Sequence, residues 1–390
     1  MSYTQIILSC ALATLSSAIA IAFLYRHAEA LGLIDRPSDR KKHVGNIPLI
    51  GGLAALAGIL VGACFTGQSH TFFFSLLSTA TALALLGALD DRFDLSVRSR
   101  LLVQTTAVLL MVGLTGIHIH TLGHLFGHEL ELGVLGIPLT LIAVIGLLNA
   151  FNMMDGIDGL AGMLALVSIG AISLYQGLSH WQGVIVLLLL AAALAPYLAM
   201  NLGLVGRKIF LGDAGSMVVG YLLAWMLIKL SQDGQPRLST IDVLWCVALP
   251  VLDTLAVMVR RIREGKSPFK PDRGHIHHLL LNAGLSHRAT LIVLVGMAVT
   301  LAATGSLTRT LTPGSNLLAF SALTLIYVIT HGQVWRRQQS ALNAPLAPAP
   351  IPRLRGRIKP RVRVRSTSAL HAYQPHSEGP PRTADRSSEP

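Results

Sequence analysis

Residues 134–160 read VLGIPLTLIAVIGLLNAFNMMDGIDGL, an uncharged apolar run that ends in a short polar segment. This segment carries two asparagines, Asn149 and Asn152, and two carboxylates, Asp155 and Asp158. Acids three residues apart share one face of a helix, and close carboxylates repel each other unless a proton or a cation lies between them. A plain Asp-Gly turn would explain one such pair. Polar residues this dense at the edge of a hydrophobic segment favour a functional site, and the amide oxygens suit a hard cation.

The same apolar pattern recurs along the chain. Of 390 residues, 52% are hydrophobic and 13% are charged, and the mean hydropathy is +0.59. That charged share is about half of the value for globular proteins. Apolar runs separated by short polar loops predict an all-α polytopic integral membrane protein with about eleven transmembrane helices. The predicted spans lie at about 3–25, 47–66, 72–89, 101–117, 134–150, 160–178, 183–200, 214–231, 240–258, 290–306 and 315–334.

The basic residues predict the orientation of these spans. The first apolar run lacks a basic segment before it, and positive charge follows it at Arg26, which indicates an uncleaved anchor with its N-terminus outside. This orientation makes the N-terminus periplasmic and the C-terminus cytoplasmic. It leaves 28 of the 31 Lys and Arg residues on the cytoplasmic side, with Lys229, Arg237 and Arg309 as the exceptions.

The end of the chain differs in composition. Residues 336–390 hold 11 basic and three acidic residues, so they supply +8 of the net charge of +12. The pI of 10.1 therefore does not indicate nucleic-acid binding. We expect a membrane domain over 1–335 and a basic, disordered cytoplasmic tail over 336–390. The Arg-rich run 353–365 either lies against anionic headgroups or is simply solvated.

Three loops bring carboxylates to the cytoplasmic face. Asp90 and Asp91 end the third span, Asp155 and Asp158 follow the fifth, and Asp213 precedes the eighth. Acids at the edge of a membrane are energetically costly, and their usual explanation is function. Chance placement explains one pair more readily than all three loops. The sequence therefore predicts an active site built from cytoplasmic loops.

The loop before the eighth span reads RKIFLGDAGS (207–216). Asp213 stands between Gly212 and Gly215 at a helix start, where free backbone N–H groups favour phosphate. An acid at this position could equally be a plain N-cap. Phe210 could stack on a base, although a single aromatic residue is more often part of a core.

The most basic interior loop reads RRIREGKSPFKPDRGHIHHL (260–279). His275, His277 and His278 suggest zinc, but the loop has no Cys and no regular ligand spacing. A cationic cradle for phosphate or sugar hydroxyls, completed by Arg273, suits this mixture better.

One acid lies inside a predicted span. Asp253 follows Pro250 in the ninth apolar run. An isolated intramembrane acid needs a partner or a polar cavity. We expect it to pair with Arg260 or to line the cavity.

Five stretches resemble the signature loops of the polyprenyl-phosphate N-acetylhexosamine-1-phosphate transferases. They occur in the family's order and with matching topology, and the similarity covers about residues 1–335. The stretches are RPSDRKKHVGNIPLIGG (36–52), DDRFD (90–94), NAFNMMDGIDGL (149–160), RKIFLGDAGS (207–216) and PFKPDRGHIHHL (268–279). Within the family, Asp94 stands where the muramoyl-pentapeptide translocases carry Lys, and the HIHH motif fits the branch that uses UDP-GlcNAc. IFLGD departs mildly from that branch's usual Val-Phe-Met-Gly-Asp.

The resemblance implies a Mg²⁺-dependent enzyme of the bacterial inner membrane, with Mn²⁺ as a substitute. It would transfer GlcNAc-1-phosphate from UDP-GlcNAc to undecaprenyl phosphate and release UMP. The lipid-linked product would start an envelope polysaccharide such as O-antigen or enterobacterial common antigen. The implied partners are UDP-GlcNAc, undecaprenyl phosphate, membrane lipids and a second copy in a homodimer, but no nucleic acid.

The resemblance also assigns roles to individual residues. The candidate catalytic residues are Asp90, Asp91, Asp155, Asp158, His275, His277 and His278. The candidate substrate-binding residues are Asn149, Asn152, Gly156, Phe210, Arg273, Lys41 and His43. The candidate metal ligands are Asp213, Asn152 and Asp91. Asp90 would be the base, and Phe210 and Gly156 would enclose uracil.

Two alternatives remain open from the sequence. The first is a related translocase that uses a muramoyl-peptide or another UDP-amino sugar. The second is a cation-coupled transporter, which would need acids near the bilayer midplane and broken helices. The acids here lie almost entirely at the cytoplasmic edge.

Overall fold

Helices dominate the fold, which we describe from a computed structural model over residues 2–36, 45–68, 70–177, 180–232, 238–268 and 272–342. The helices are α1 (Tyr3–Leu31), α2 (Gly51–Cys64), α3 (Thr71–Phe93), α4 (Val97–Thr115), α5 (Gly136–Met154), α6 (Leu160–Gln176), α7 (Ile185–Asn201), α8 (Gly212–Ser231), α9 (Thr240–Cys246), α10 (Ala248–Arg263), α11 (Ile276–Asn282), α12 (His287–Thr308) and α13 (Pro313–Leu342). Two short antiparallel hairpins, which the sequence did not predict, pair β1 (Ile34–Asp35) with β2 (Ile47–Pro48) and β3 (Thr121–Leu125) with β4 (His128–Glu131).

The apolar helices confirm a polytopic membrane protein. Within the described residues, seven helices are long and apolar enough to cross a membrane: α1, α3, α4, α5, α8, α12 and α13. Helices α2, α6 and α7 are apolar but have only 14, 17 and 17 residues. At about 1.5 Å per residue, they are shorter than a hydrocarbon core of about 30 Å. The number of eleven spans and their orientation stay predictions.

The ninth predicted span, 240–258, is not one continuous helix. It consists of α9 and α10, which meet at an angle of 86°. Pro250 lies in the first turn of α10, where proline is tolerated because its missing N–H has no partner inside the helix. Ser239 and Asp242 form a capping box at the start of α9. Each half therefore begins with its own local start signal.

Helix α8 lies at the centre of the helix bundle, and 18 of its 20 residues are buried. Glycines allow its neighbours to approach its backbone closely. A Cβ atom on Gly52 of α2 would lie 2.1 Å from Gly215, and one on Gly87 of α3 would lie 2.4 Å from Ala214. Small residues at such contacts are typical of membrane helix packing. This packing brings the end of α3 and the start of α2 to the first turn of α8.

A backbone ladder fixes the segment before α8. The Phe210 N–H donates to the Pro48 carbonyl at 2.8 Å, and the Gly51 N–H donates to the Phe210 carbonyl at 2.9 Å. The Gly52 N–H donates to Leu211 in the same way. The segment between α1 and α2 therefore fixes, at its end, the backbone position of Phe210.

The last helix continues beyond the predicted boundary at residue 335. Helix α13 runs to Leu342, and Gln338 Nε2 donates to the Leu279 carbonyl at 2.8 Å. Residues 343–390, on which most of the predicted tail falls, lie outside the described residues.

Candidate active site

The C-terminal end of α3 and the start of α8 meet at the carboxylate of Asp91. Both Asp91 oxygens accept the Asp213 N–H, at 3.1 and 3.0 Å. A negative charge at a helix N-terminus is favourable because the unpaired N–H groups there carry partial positive charge. Gly212 has a φ of +73°, and a Cβ there would lie 2.5 Å from Asp91 Oδ2. Two of the predicted loops therefore converge, and the contact needs a glycine.

Asn152, in the last turn of α5, brings in the third loop. Its side-chain amide donates to Asp213 Oδ1 at 2.9 Å and to Ser216 Oγ at 3.1 Å. Asn149, one turn earlier, donates instead to Gln104 Oε1 at 3.1 Å and to the Ile145 carbonyl. The structure thus brings Asn152 to the acidic site and places Asn149 at the contact between α4 and α5.

Arg100, near the start of α4, is a site residue that the sequence analysis missed. Its Nη1 lies 2.6 Å from Asp90 Oδ2 and 3.7 Å from Asp213 Oδ2. Asp90 is only 5% exposed, and its other oxygen accepts the Leu95 N–H at 2.8 Å. The sequence did hold a signal for it, because Arg100 is a cation close to the acid pair in the chain. It had been used only to predict the topology.

Asp155 and Asp158 lie in the loop after α5 and differ in their partners. Lys208 Nζ lies 2.6 Å from Asp158 Oδ2, and both side chains are more than a third exposed. Burial raises the pKa of Asp155 to about 7, and the charges of Asp213 and Asp158 add to this effect. Asp155 can therefore take up a proton or share a cation near neutral pH.

Asp253 anchors the segment that carries His275, His277 and His278, which we call the histidine loop. His275 Nδ1 lies 2.7 Å from Asp253 Oδ2, and the Ile276 N–H donates to Asp253 Oδ1 at 2.9 Å. The expected pairing of Asp253 with Arg260 is wrong, because Arg260 bonds Asp272 at 2.5 Å. Seven helical residues separate the two side chains by about 10 Å along α10.

His277 and His278 supply little positive charge. His277 is 1% exposed, and burial, reinforced by His278 and His275, lowers its pKa to about 3. Burial, with His275 and Arg273, also lowers the pKa of His278. Both imidazoles are therefore mainly neutral at pH 7. The positive charge expected of a cradle comes from the exposed Arg273 instead.

The histidine loop touches the loop after α5 at Gly156. We call this second loop, which carries Asp155 and Asp158, the acidic loop. A Cβ on Gly156 would lie 2.2 Å from His277 Nε2, so only glycine allows this approach. Phe210, the other predicted uracil contact, is partly buried, with Lys208 Nζ 5.3 Å from its ring centroid. The predicted residues Lys41 and His43 lie outside the described residues.

The oxygen donors fit a hard cation without forming a closed cage. In the described part of the chain, no three His, Cys, Asp or Glu side chains converge as a metal site. Mg²⁺ commonly uses one or two carboxylates together with waters and substrate phosphates. The Asp213 carboxylate is 34% exposed, and Asn152 orients it. One such carboxylate meets this requirement.

Carboxylates, an arginine and a helix N-terminus at the end of a membrane helix bundle are typical of a membrane-embedded phosphoryl-transfer site. The model of glycosyl transferase family 4 matches residues 73–231, which include the acids and Arg100. The chain belongs to this family.

Similar curated proteins support this assignment over most of their length. Each of the following is called undecaprenyl-phosphate alpha-N-acetylglucosaminyl 1-phosphate transferase. The Yersinia pestis protein is 39% identical over 332 residues, covering 81% of this chain and 90% of the relative. The Escherichia coli K12 protein is 40% identical over 306 residues, covering 75% and 81%. The Haemophilus influenzae protein is 36% identical over 321 residues, covering 79% and 89%.

Proposed function

We propose that the chain transfers GlcNAc-1-phosphate from UDP-GlcNAc to undecaprenyl phosphate and releases UMP. The observation that carries the proposal is the convergence of Asp90, Asp91, Asn152 and Asp213 at one end of α8. The names of the similar proteins support the same donor sugar and acceptor. An oxygen of the lipid phosphate bonds to the phosphorus that carries the sugar, while the bond from this phosphorus to UMP breaks.

The acids divide the work at this centre. Asp91 neutralises the N-terminus of α8 and so orients Asp213, whose partly exposed carboxylate would hold Mg²⁺ or Mn²⁺. The cation supplies positive charge to the phosphates when it is bound. Asp90 lies between the Arg100 guanidinium and a backbone N–H. There, Arg100 would position the lipid phosphate, and the Asp90 carboxylate would accept its proton.

The donor occupies the other side of the site. Gly156 and Phe210 contact uracil, and Arg273 with the histidine loop contacts the sugar and the diphosphate. Neutral imidazoles donate and accept hydrogen bonds without the cost of burying charge. Burial raises the pKa of Asp155 to about 7, so this carboxyl would release its proton when a cation binds beside it.

We further propose that this site faces the cytoplasm of a bacterial inner membrane. The basic residues support this orientation, because 28 of 31 Lys and Arg fall on the side of the acids when the N-terminus is periplasmic. In that orientation the soluble donor reaches the site directly. The product would feed an envelope polysaccharide of the O-antigen or enterobacterial common antigen type.

Within the residues that the structure describes, the broken pair α9–α10 is the feature that favours a transporter. Transporters place acids and backbone groups at such breaks to bind ions. Here, however, the acid of α10, Asp253, is 0% exposed and is engaged by His275 and Ile276. Substrate flux into proteoliposomes without UMP release would support the transporter instead.

The proposal is tested by measuring UMP release from purified protein in detergent with UDP-GlcNAc, undecaprenyl phosphate and Mg²⁺. A panel of UDP-amino sugars and muramoyl-peptide donors distinguishes the translocase alternative. Asp213→Asn is expected to lower turnover by about 10²-fold or more, whereas the exposed Glu29→Gln keeps it. Normal turnover of folded Asp213→Asn at limiting Mg²⁺ would remove Asp213 from the metal site.

A further inference from the structure

A buried cluster, which we call the Asp253 bracket, joins α10, α13 and the histidine loop. It consists of Asp253, which contacts His275, and of Tyr327 and His331. The Tyr327 O–H donates to Asp253 Oδ1 at 3.2 Å. His331 Nε2 lies 2.8 Å from the Gly274 carbonyl and 3.8 Å from Asp253 Oδ1. The bracket therefore fixes the backbone on both sides of His275.

The bracket also determines which nitrogen of His275 carries a proton. Asp253 accepts hydrogen bonds from Ile276 and Tyr327, and we infer that its contact of 2.7 Å with His275 Nδ1 is also an accepted one, with the proton on Nδ1. The second nitrogen, Nε2, is then left as an acceptor in the neutral ring. Burying a carboxylate in a membrane protein is energetically costly. A neutral side chain could anchor the backbone as well, so anchoring alone does not explain why this residue is an acid.

The position of His275 is passed on to the acidic loop. Its ring is parallel to that of His277, with an interplanar angle of 3° and centroids 6.0 Å apart. His277 in turn contacts Gly156. Both ring nitrogens of His277 are buried without a hydrogen-bond partner in the described structure, so a bound molecule would have two polar atoms available at this point.

We propose that Asp253 is a positioning residue that fixes the tautomer of His275 and sets the histidine loop against Gly156 for donor binding. The inference rests on the proposed function, which assigns this side of the site to the nucleotide sugar. Asp253 does not touch the substrate. It acts through His275 and the Ile276 backbone.

Asp253→Asn separates the tautomer from simple anchoring. The asparagine oxygen can still accept the Ile276 N–H, but its NH₂ group faces His275 Nδ1 and requires the opposite tautomer. We expect the KM for UDP-GlcNAc to rise about 10- to 100-fold, the effect of losing a hydrogen bond to a charged group. The KM for undecaprenyl phosphate should change less than about twofold, since Asp90 and Arg100 do not contact the bracket.

Amide hydrogen exchange over residues 272–282 provides a readout that does not need activity. Asp253→Ala should raise exchange in this segment, because Ile276 loses its acceptor, whereas Asp253→Asn should leave exchange near that of the wild type. Asp242→Asn is the matched control: Asp242 is 4% exposed, caps α9 and contacts Arg309 at 3.2 Å. Its substitution should lower thermal stability and leave both KM values unchanged.

A wild-type KM for UDP-GlcNAc in folded Asp253→Asn would overturn the proposal. Equal changes in both KM values, or a lower kcat alone, would also overturn it, because these are the effects of a general structural defect. If the wild type releases no UMP from UDP-GlcNAc, the proposed function fails on its own. Unchanged exchange in Asp253→Ala would then separately overturn the anchoring by Asp253.

Discussion

At the scale of single residues, Arg100 connects the acidic groups of two helices. It forms a close ion pair with the buried Asp90 and lies 3.7 Å from Asp213. Three acids crowd this end of the bundle, so one fixed cation lowers their mutual repulsion before any metal or substrate arrives. Arg100 therefore supports both the local fold and the charge balance of the site.

Arg100→Ala is expected to lower kcat for UMP release by about 10²-fold, the range for removing a group that stabilises developing charge. Thermal stability should also fall, because Asp90 would be left buried without its cation. Arg100→Lys should be intermediate, since it keeps the charge and loses the guanidinium geometry. Arg98→Ala, on the exposed side of the same helix turn, is the control. Full activity of Arg100→Ala would exclude a role at the centre.

At the scale of elements, α8 determines how the site is assembled. Its first turn carries Asp213, and α2 and α3 reach this turn through glycines at their closest contacts. Van der Waals packing drives helix association inside a membrane, where lipid tails compete equally for apolar surface. A single added methyl group at such a contact therefore separates elements that carry site residues.

Gly52→Ala tests this arrangement. The new Cβ would lie 2.1 Å from the Gly215 backbone, which cannot rotate away, so overpacking should cost about 1–3 kcal/mol. We expect a lower unfolding temperature in detergent together with reduced UMP release, because α2 also holds the segment of Phe210. Gly113→Ala, at a position of α4 with open space around the added atom, should leave both quantities unchanged. Equal behaviour of the two variants would contradict the close contact.

The C-terminal end of α13 is a second element with a consequence for the site. Trp335 Nε1 donates to Glu264 Oε1 at 3.1 Å, and the Arg260 guanidinium lies 4.2 Å from the Trp335 ring centroid. Gln338 bonds the Leu279 carbonyl. These contacts brace the loop between α10 and α11, so the last two turns of α13 belong functionally to the membrane domain.

Two truncations separate α13 from the chain that follows it. Deletion of 343–390 is expected to leave UMP release in detergent largely intact, because all contacts described for α13 remain. Deletion of 335–390 removes Trp335 and Gln338 and should reduce release and increase hydrogen exchange in the loop. Loss of activity in the shorter deletion, with folding retained, would show that residues beyond Leu342 take part in the reaction.

At the scale of the whole molecule, the orientation decides which substrate reaches the acids from water. Single cysteines in a background free of Cys10, Cys64 and Cys246 test it. Ser2→Cys and Glu129→Cys should react with an impermeant maleimide added to intact cells, and Arg207→Cys should react only after permeabilisation. The opposite pattern would place the acidic site outside and contradict cytoplasmic delivery of the donor.

The sequence by itself determined the membrane class and most helix positions, because long apolar runs have few alternatives in a bilayer. It also marked the acids and Asn152, since polar groups at membrane edges are conspicuous. Only the tertiary structure decided their partners: Arg100 with Asp90, Asp253 with His275, and His277 against Gly156. It likewise decided the break between α9 and α10. These contacts join residues far apart in the chain, so they depend on helix packing, which no local pattern specifies. The same packing buries His277 and thereby lowers its pKa.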